Sequence, residues 1–276
     1  MNAVVEIRPL SPSLGAEIAG IDAAAPMDDE AFANIRAVWL AHHVLLLRDQ
    51  HLNDAALVEF TSRFGELETA PLFKGRRFVD EHPEVMIISN VTVDGREIGS
   101  LGNAEAFWHT DLNFVEEPPA ASCLYAHEVP ADGGNTGFAN MEAAYAALPS
   151  AIAVRINGRR IRHDARFNSA GYLREVRVPD TLHPIVRTHP ETGRKSLYLG
   201  RRANAVIEGL GDLESDELLD ALWEHATSDA FTWHHRWRAG DLLIWDNRCT
   251  LHRRDSFDNS ARRIMHRTQT RGTRPF

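Results

Sequence analysis

Short runs in which apolar and polar residues alternate recur along the chain. "VVEIRPL", "HHVLLLRD", "EVMIISNV" and "ASCLYAHEV" occupy the first half, and "PIVRTH", "KSLYLG", "FTWHHRW", "DLLIWDN" and "RRIMHRTQT" the second, bounded by Gly, Pro, Asn or Asp. A period of two marks strands of a sheet with one buried face. Three stretches switch to a helical period: "DDEAFANIRAVWLAH", with Phe32, Ile35, Val38 and Trp39 near one face; "NDAALVEFTSRFGEL", with Asn53 placed as N-cap; and "DLESDELLDALWEHATS". Many short strands with a few peripheral helices predict a mainly β fold, a closed or double-sheet architecture decorated with helices. No repeat, low-complexity tract or Ser/Gly linker divides the chain, so residues 1–276 read as one domain. The loop-rich middle, 155–182, reads as a lid or insertion.

Composition narrows the function. A chain of 276 residues fits a single large β-barrel or sandwich, and a formal net charge of −9 argues against general affinity for nucleic acid or an anionic membrane. The two cysteines, Cys123 and Cys249, are far apart and form neither a disulfide framework nor a metal-ligand spacing, as suits a reducing compartment. The first residues lack the basic and apolar regions of a signal peptide, and no apolar run approaches the roughly 18 residues of a membrane span. A cytoplasmic, soluble protein is expected. The last third is nevertheless locally basic, "RRDSFDNSARRIMHRTQTRGTR", which suits an anionic small molecule.

The candidate chemistry starts at "FWHTDLNF", where His109 and Asp111 lie two apart in an aromatic, apolar stretch. Read as a strand, the stretch points both side chains to one face. A buried carboxylate needs a partner or a metal, and a converging His and Asp are two corners of the two-His-one-carboxylate triad that holds non-haem Fe(II). The alternative is a buried His–Asp hydrogen bond. "DLLIWDNRCTLHRR" offers His252 as the third corner, whereas the adjacent pairs His42/His43 and His234/His235 read as surface or packing residues. In "ARRIMHRTQT", Arg263, Met265 and Arg267 share one strand face. Two inward guanidiniums require anionic partners or, on an exposed strand, solvent. In "PADGGNTGFANM" a tight turn precedes Thr136.

These fragments, together with "SPSLGAEIAGID", "LLLRDQ", "SRFGELE", "GGNTGF", "PIVRTHPETGRKSLYLG" and "GDLLIWDNRCTLH", make the chain resemble the taurine dioxygenase/phenoxyacetate dioxygenase family of Fe(II)- and 2-oxoglutarate-dependent oxygenases. The resemblance implies a double-stranded β-helix, or jelly roll, in which His109, Asp111 and His252 ligate iron. It implies that Thr136 and Arg263 hold the distal carboxylate of 2-oxoglutarate, that Trp245 walls that pocket, and that Arg267 grips the anionic head of the prime substrate. O₂ is the oxidant, succinate and CO₂ are released, and a homo-oligomer is expected. Ala70, Phe73 and Glu105 depart from the taurine-type pattern, which turns the expectation toward the phenoxyacetate branch. There Lys74 and Arg96 become candidate substrate contacts, and the substrate a small organic carboxylate of the aryloxyalkanoate type, cleaved at its ether through a hemiacetal. The alternatives are the same chemistry on a sulfonate, sulfate ester or phosphonate, and a non-catalytic metal-binding jelly roll.

Overall fold

The computed structural model describes residues 6–72, 77–166 and 181–276. Two antiparallel-rich sheets form its centre. The larger has eight strands in the spatial order Glu6–Pro9, Ala16–Ala19, Val44–Leu47, Leu242–Asp246, Ala121–Glu128, Ile264–Gln269, Met86–Ser89 and Ser100–Leu101. The smaller has four, Thr232–His235, Thr136–Asn140, Thr250–Arg254 and Ala106–His109. Most neighbours in space are distant in sequence, so sheet formation alone brings the separated motifs together.

Both faces of the larger sheet are covered, which explains continuous apolar runs such as Val44–Leu47, buried at every position. Val44 and Leu46 turn inward to join Leu124, Leu243, Trp245, Met265 and, from the smaller sheet, Phe138. Leu45, Leu47, Cys123, Tyr125, Leu242 and Ile244 turn outward onto the helices Asp29–His42 and Asp54–Ser62, through Phe32, Ile35, Trp39, Leu57 and Phe60. Each such buried side chain contributes about 1.5–3 kcal/mol, so the strand alternation fixes which face is inside. A third cluster covers the smaller sheet's outer side, where Ala139 and Leu251 meet Leu218, Leu219 and Leu222 of the helix Asp212–Ala226.

The predicted helices form at their expected places. Asp28 caps the first, accepting from the Ala31 N–H, and Asn53 caps the second, accepting from the Ala56 N–H at 2.9 Å. Two short helices, Met141–Ala146 and Ser150–Ile156, were not expected, because each is too short to display a helical period. The stretch 155–182 differs from a loop-rich lid at its edges: Arg160–His163 is a strand paired with Thr181–Pro184, with Ile161 and His163 fully buried. Residues 167–180 lie outside the described residues.

Candidate metal centre and cofactor cavity

The strands Thr250–Arg254 and Ala106–His109 pair antiparallel with His252 directly opposite His109, and the two imidazole centroids stand 4.2 Å apart. Asp111 does not share their strand, contrary to the period-two reading. The strand ends at His109, the Thr110 N–H donates to the Gly200 carbonyl at 2.8 Å, and Leu112 takes a left-handed φ of +45°. This turn swings the Asp111 carboxylate back toward the imidazoles, with Oδ1 3.9 Å from His109 Nε2 and 3.8 Å from His252 Nε2. One ligand atom from each of the three lies within 4.8 Å of the others, and all three residues are buried.

Hydrogen bonding sets the tautomer of His109. Its Nδ1 lies 2.7 Å from the Phe107 carbonyl oxygen, which can only accept, so Nδ1 carries the proton and Nε2 presents a lone pair to the centre. Burial, and then the neighbouring His109, push His252 down to about 3, which keeps its imidazole neutral. Burial also lowers His109, against the opposing pull of Asp111. Burial alone would raise the Asp111 carboxyl. The Arg267 guanidinium, followed by His252 and His109, holds it down at about 2. Two neutral imidazoles and one carboxylate are the donor set of a borderline divalent metal.

A hydrogen-bond network that the sequence reading did not anticipate fixes the carboxylate from behind. Asp111 Oδ2 accepts from Ser122 Oγ at 3.1 Å and from Gln269 Nε2 at 3.0 Å. Asn247 Nδ2 donates to Ser122 Oγ at 2.7 Å, and Trp245 Nε1 donates to Asn247 Oδ1 at 2.9 Å. The Trp245 ring, 5.0 Å from that of His252, is thereby tied to the same network as the Asp111 carboxylate. One signal was available: Gln269 continues the inward alternation of Arg263, Met265 and Arg267.

A cavity opens in front of the centre, between the two sheets. His109, Asp111, His252, Thr136, Trp245, Arg263 and Arg267 all line it, against an apolar wall that includes Ile88, Leu101 and Leu124. Arg263 is 2% exposed, its Nε has no hydrogen-bond partner, and no carboxylate pairs with it among the described residues. Burial, and then the like charge of Arg254, push it down to about 9, so it remains a cation at neutral pH. Thr136 opens the strand that follows the Gly-rich turn. Its Oγ1 accepts from Trp237 Nε1 at 2.9 Å, which leaves its own proton to donate elsewhere.

Other expected residues are placed elsewhere. Arg96 is exposed on the two-stranded hairpin Thr92–Val93/Arg96–Glu97 and does not line this cavity. Lys74 and Phe73 lie outside the described residues. Glu105 pairs with Arg253 at 3.0 Å. Among the paired histidines, His43 and His235 are buried rather than superficial. His43 lies 3.5 Å from Glu142, and His235 lies 2.9 Å from Asp241.

Fold and site together bring two neutral imidazoles and one carboxylate to a cavity that two arginines also line. The family model of the taurine catabolism dioxygenase TauD, TfdA family matches residues 6–269, and the chain belongs to that family. It is 37% identical to the alpha-ketoglutarate-dependent 2,4-dichlorophenoxyacetate dioxygenase of Cupriavidus pinatubonensis, over 96% of this chain and 97% of that one. It is 32% identical to the (S)-phenoxypropionate/alpha-ketoglutarate-dioxygenase of Sphingobium herbicidovorans, over 99% and 96%. The crystal structure of AAD-2 in complex with Mn(II) and N-oxalylglycine superposes with a TM-score of 0.81 at 31% identity, covering 99% of each chain. The protein is an Fe(II)- and 2-oxoglutarate-dependent dioxygenase. No helix among the described residues is long and apolar enough to cross a membrane.

Proposed function

We propose that His109, Asp111 and His252 hold the ferrous ion, that Thr136 and Arg263 hold the distal carboxylate of 2-oxoglutarate beside Trp245, and that Arg267 anchors the anionic head of a small organic carboxylate of the aryloxyalkanoate type. The scaffold is a double-stranded β-helix forming one domain. Arg263 carries the reading. A buried guanidinium without a carboxylate partner is costly unless an anion arrives, and this one lines the same cavity as a neutral-imidazole and carboxylate donor set.

When bound, iron with O₂ and 2-oxoglutarate supplies oxidative decarboxylation to succinate and CO₂, coupled to hydroxylation of a C–H bond. The chain's own residues do the positioning. Ser122 and Gln269 hold one oxygen of Asp111, leaving Oδ1 facing the imidazoles. Arg263 and Arg267 lie on the same strand face with Met265 between them, so the two guanidiniums can take two different anions. Ile88, Leu101 and Leu124 present an apolar wall suited to a ring. A carboxylate held at Arg267 exposes the carbon next to it. Where that carbon also bears an ether oxygen, hydroxylation gives a hemiacetal that separates into a phenol and a 2-oxo acid. The 2,4-dichlorophenoxyacetate and phenoxypropionate named for two relatives have that arrangement.

The test is a panel of aryloxyalkanoates, alkyl sulfates, sulfonates and phosphonates incubated with Fe(II), 2-oxoglutarate and O₂. Succinate and phenol should form in equal amounts from an aryloxyalkanoate, and not with Asp111→Ala. Coupled turnover confined to sulfur or phosphorus anions would overturn the substrate class. Undiminished turnover by Asp111→Ala would overturn the site.

A further inference from the structure

A second cluster with the same donor chemistry lies on the opposite face of the eight-stranded sheet. His127 and His266 sit on the adjacent strands Ala121–Glu128 and Ile264–Gln269, whose register slips by one residue at that point: Ile264 faces Glu128, but Met265 faces Ala126. His127 is the extra residue of this bulge, a device that re-aims a side chain. Its ring stands 4.1 Å from that of His266. Asp54, in the first turn of the helix Asp54–Ser62, comes to the same place, with its Oδ1 2.5 Å from His266 Nδ1.

We propose that Asp54, His127 and His266 form a second metal site, taking a borderline divalent cation of the Zn²⁺ class, with water completing the coordination and the helix clamped to both strands. Their ligand atoms lie within 4.8 Å of one another, and imidazole with carboxylate is the donor set such ions prefer. Two comparable clusters are already closed by arginines. Arg194 holds Glu142 beside His43 at 2.6 Å, and Arg248 holds Asp246 beside His189 at 2.7 Å. Among the described residues, no arginine or lysine holds Asp54; its Oδ1 instead shares a hydrogen bond with His266 Nδ1, whose proton a bound cation would displace. The site is separate from the catalytic cavity, because the alternation that turns Arg267 inward turns His266 outward.

Tag-free, metal-stripped protein is titrated with Co²⁺ and Zn²⁺, and bound metal is counted after equilibrium dialysis. Wild type should hold two equivalents. His127→Gln and Asp54→Asn should each hold one while keeping Fe(II)/2-oxoglutarate turnover, and His109→Ala should hold one while losing it. Zn²⁺ at about one hundred times its dissociation constant should raise the melting temperature of His109→Ala by on the order of 5 °C, and leave that of His109→Ala/His127→Gln unchanged. A single equivalent in wild type that vanishes in His109→Ala would overturn the proposal. So would a second equivalent that persists in both His127→Gln and Asp54→Asn. Neither result bears on the catalytic reading, which rests on turnover.

Discussion

Arg267 Nη1 donates to Asp111 Oδ1 at 3.1 Å, and this is the same carboxylate oxygen that lies within 4 Å of both His109 Nε2 and His252 Nε2. One guanidinium therefore stands within reach of both the proposed iron ligands and the cavity in which the organic anion is proposed to bind. Arg267→Ala removes a charge-assisted hydrogen bond worth about 1.5–3 kcal/mol, or roughly 10- to 150-fold in binding. The KM for the organic anion should rise by that factor, and the KM for 2-oxoglutarate by much less. Arg267→Lys should recover only part of the loss, because an ammonium cannot reproduce the planar fork. Initial rates with each substrate varied in turn decide it. Equal increases in both KM values would place Arg267 at the keto acid instead.

Gln269 and Ser122 hold the far oxygen of Asp111, at 3.0 and 3.1 Å. Partners behind a metal ligand typically contribute about 10- to 100-fold to metal affinity. Gln269→Leu is thus expected to weaken Fe(II) binding within that range while the KM for 2-oxoglutarate stays near wild type. Anaerobic calorimetric titration with Fe(II) provides the readout. Unchanged iron affinity would mean that the turn at Leu112, and not this network, orients the carboxylate.

Arg263 and Thr136 differ in charge, so their losses should differ in size. Arg263→Ala should raise the KM for 2-oxoglutarate by about 10- to 150-fold, and Thr136→Val by only about 2- to 13-fold, the range of a neutral hydrogen bond. The Trp237 indole, which donates to Thr136 Oγ1 at 2.9 Å, also loses its acceptor in Thr136→Val, so the melting temperature should fall as well. A larger effect from Thr136→Val than from Arg263→Ala would reverse the assignment.

The parts legible in the sequence were those governed by strand alternation. The inward set Arg263, Met265 and Arg267 could be read from spacing alone, as could the helix cap Asn53, because both rest on local geometry. Strand alternation puts Asp111 on the proper face for the wrong reason. The chain leaves the strand after His109, and a left-handed Leu112 redirects it, which no period-two pattern reveals. Ser122 and Asn247 were invisible because their value lies in contacts with residues far along the chain: the Asn247–Ser122 hydrogen bond spans 125 positions. Arg96 shows the converse case. A cation in a polar turn reads the same whether or not it reaches a cavity, and here it lies exposed on a hairpin.

His163 is fully buried, and neither of its ring nitrogens has a hydrogen-bond partner among the described residues. Burial, and then the neighbouring His183, push it down to about 3, and burial pushes His183 to about 4. In the unfolded chain both titrate near 6.5. A folded pKa below the unfolded one means that the stabilising contribution is complete above about pH 6.5. As the pH falls below that value, the unfolded chain takes up protons that the folded chain refuses, so stability drops until the folded pKa is reached. The slope is about 1.4 kcal/mol per pH unit for each such histidine. Urea unfolding at pH 7.5, 6 and 5 should therefore show wild type losing stability steadily. His163→Gln, which cannot charge, should have a lower stability at pH 7.5 but a slope shallower by up to that amount. Since Gly200 packs so closely that an added Cβ would stand 2.4 Å from the His163 ring, the replacement must stay small and neutral. If His163→Gln tracks wild type at the same slope from pH 7.5 to 5, His163 is not held neutral in the folded protein.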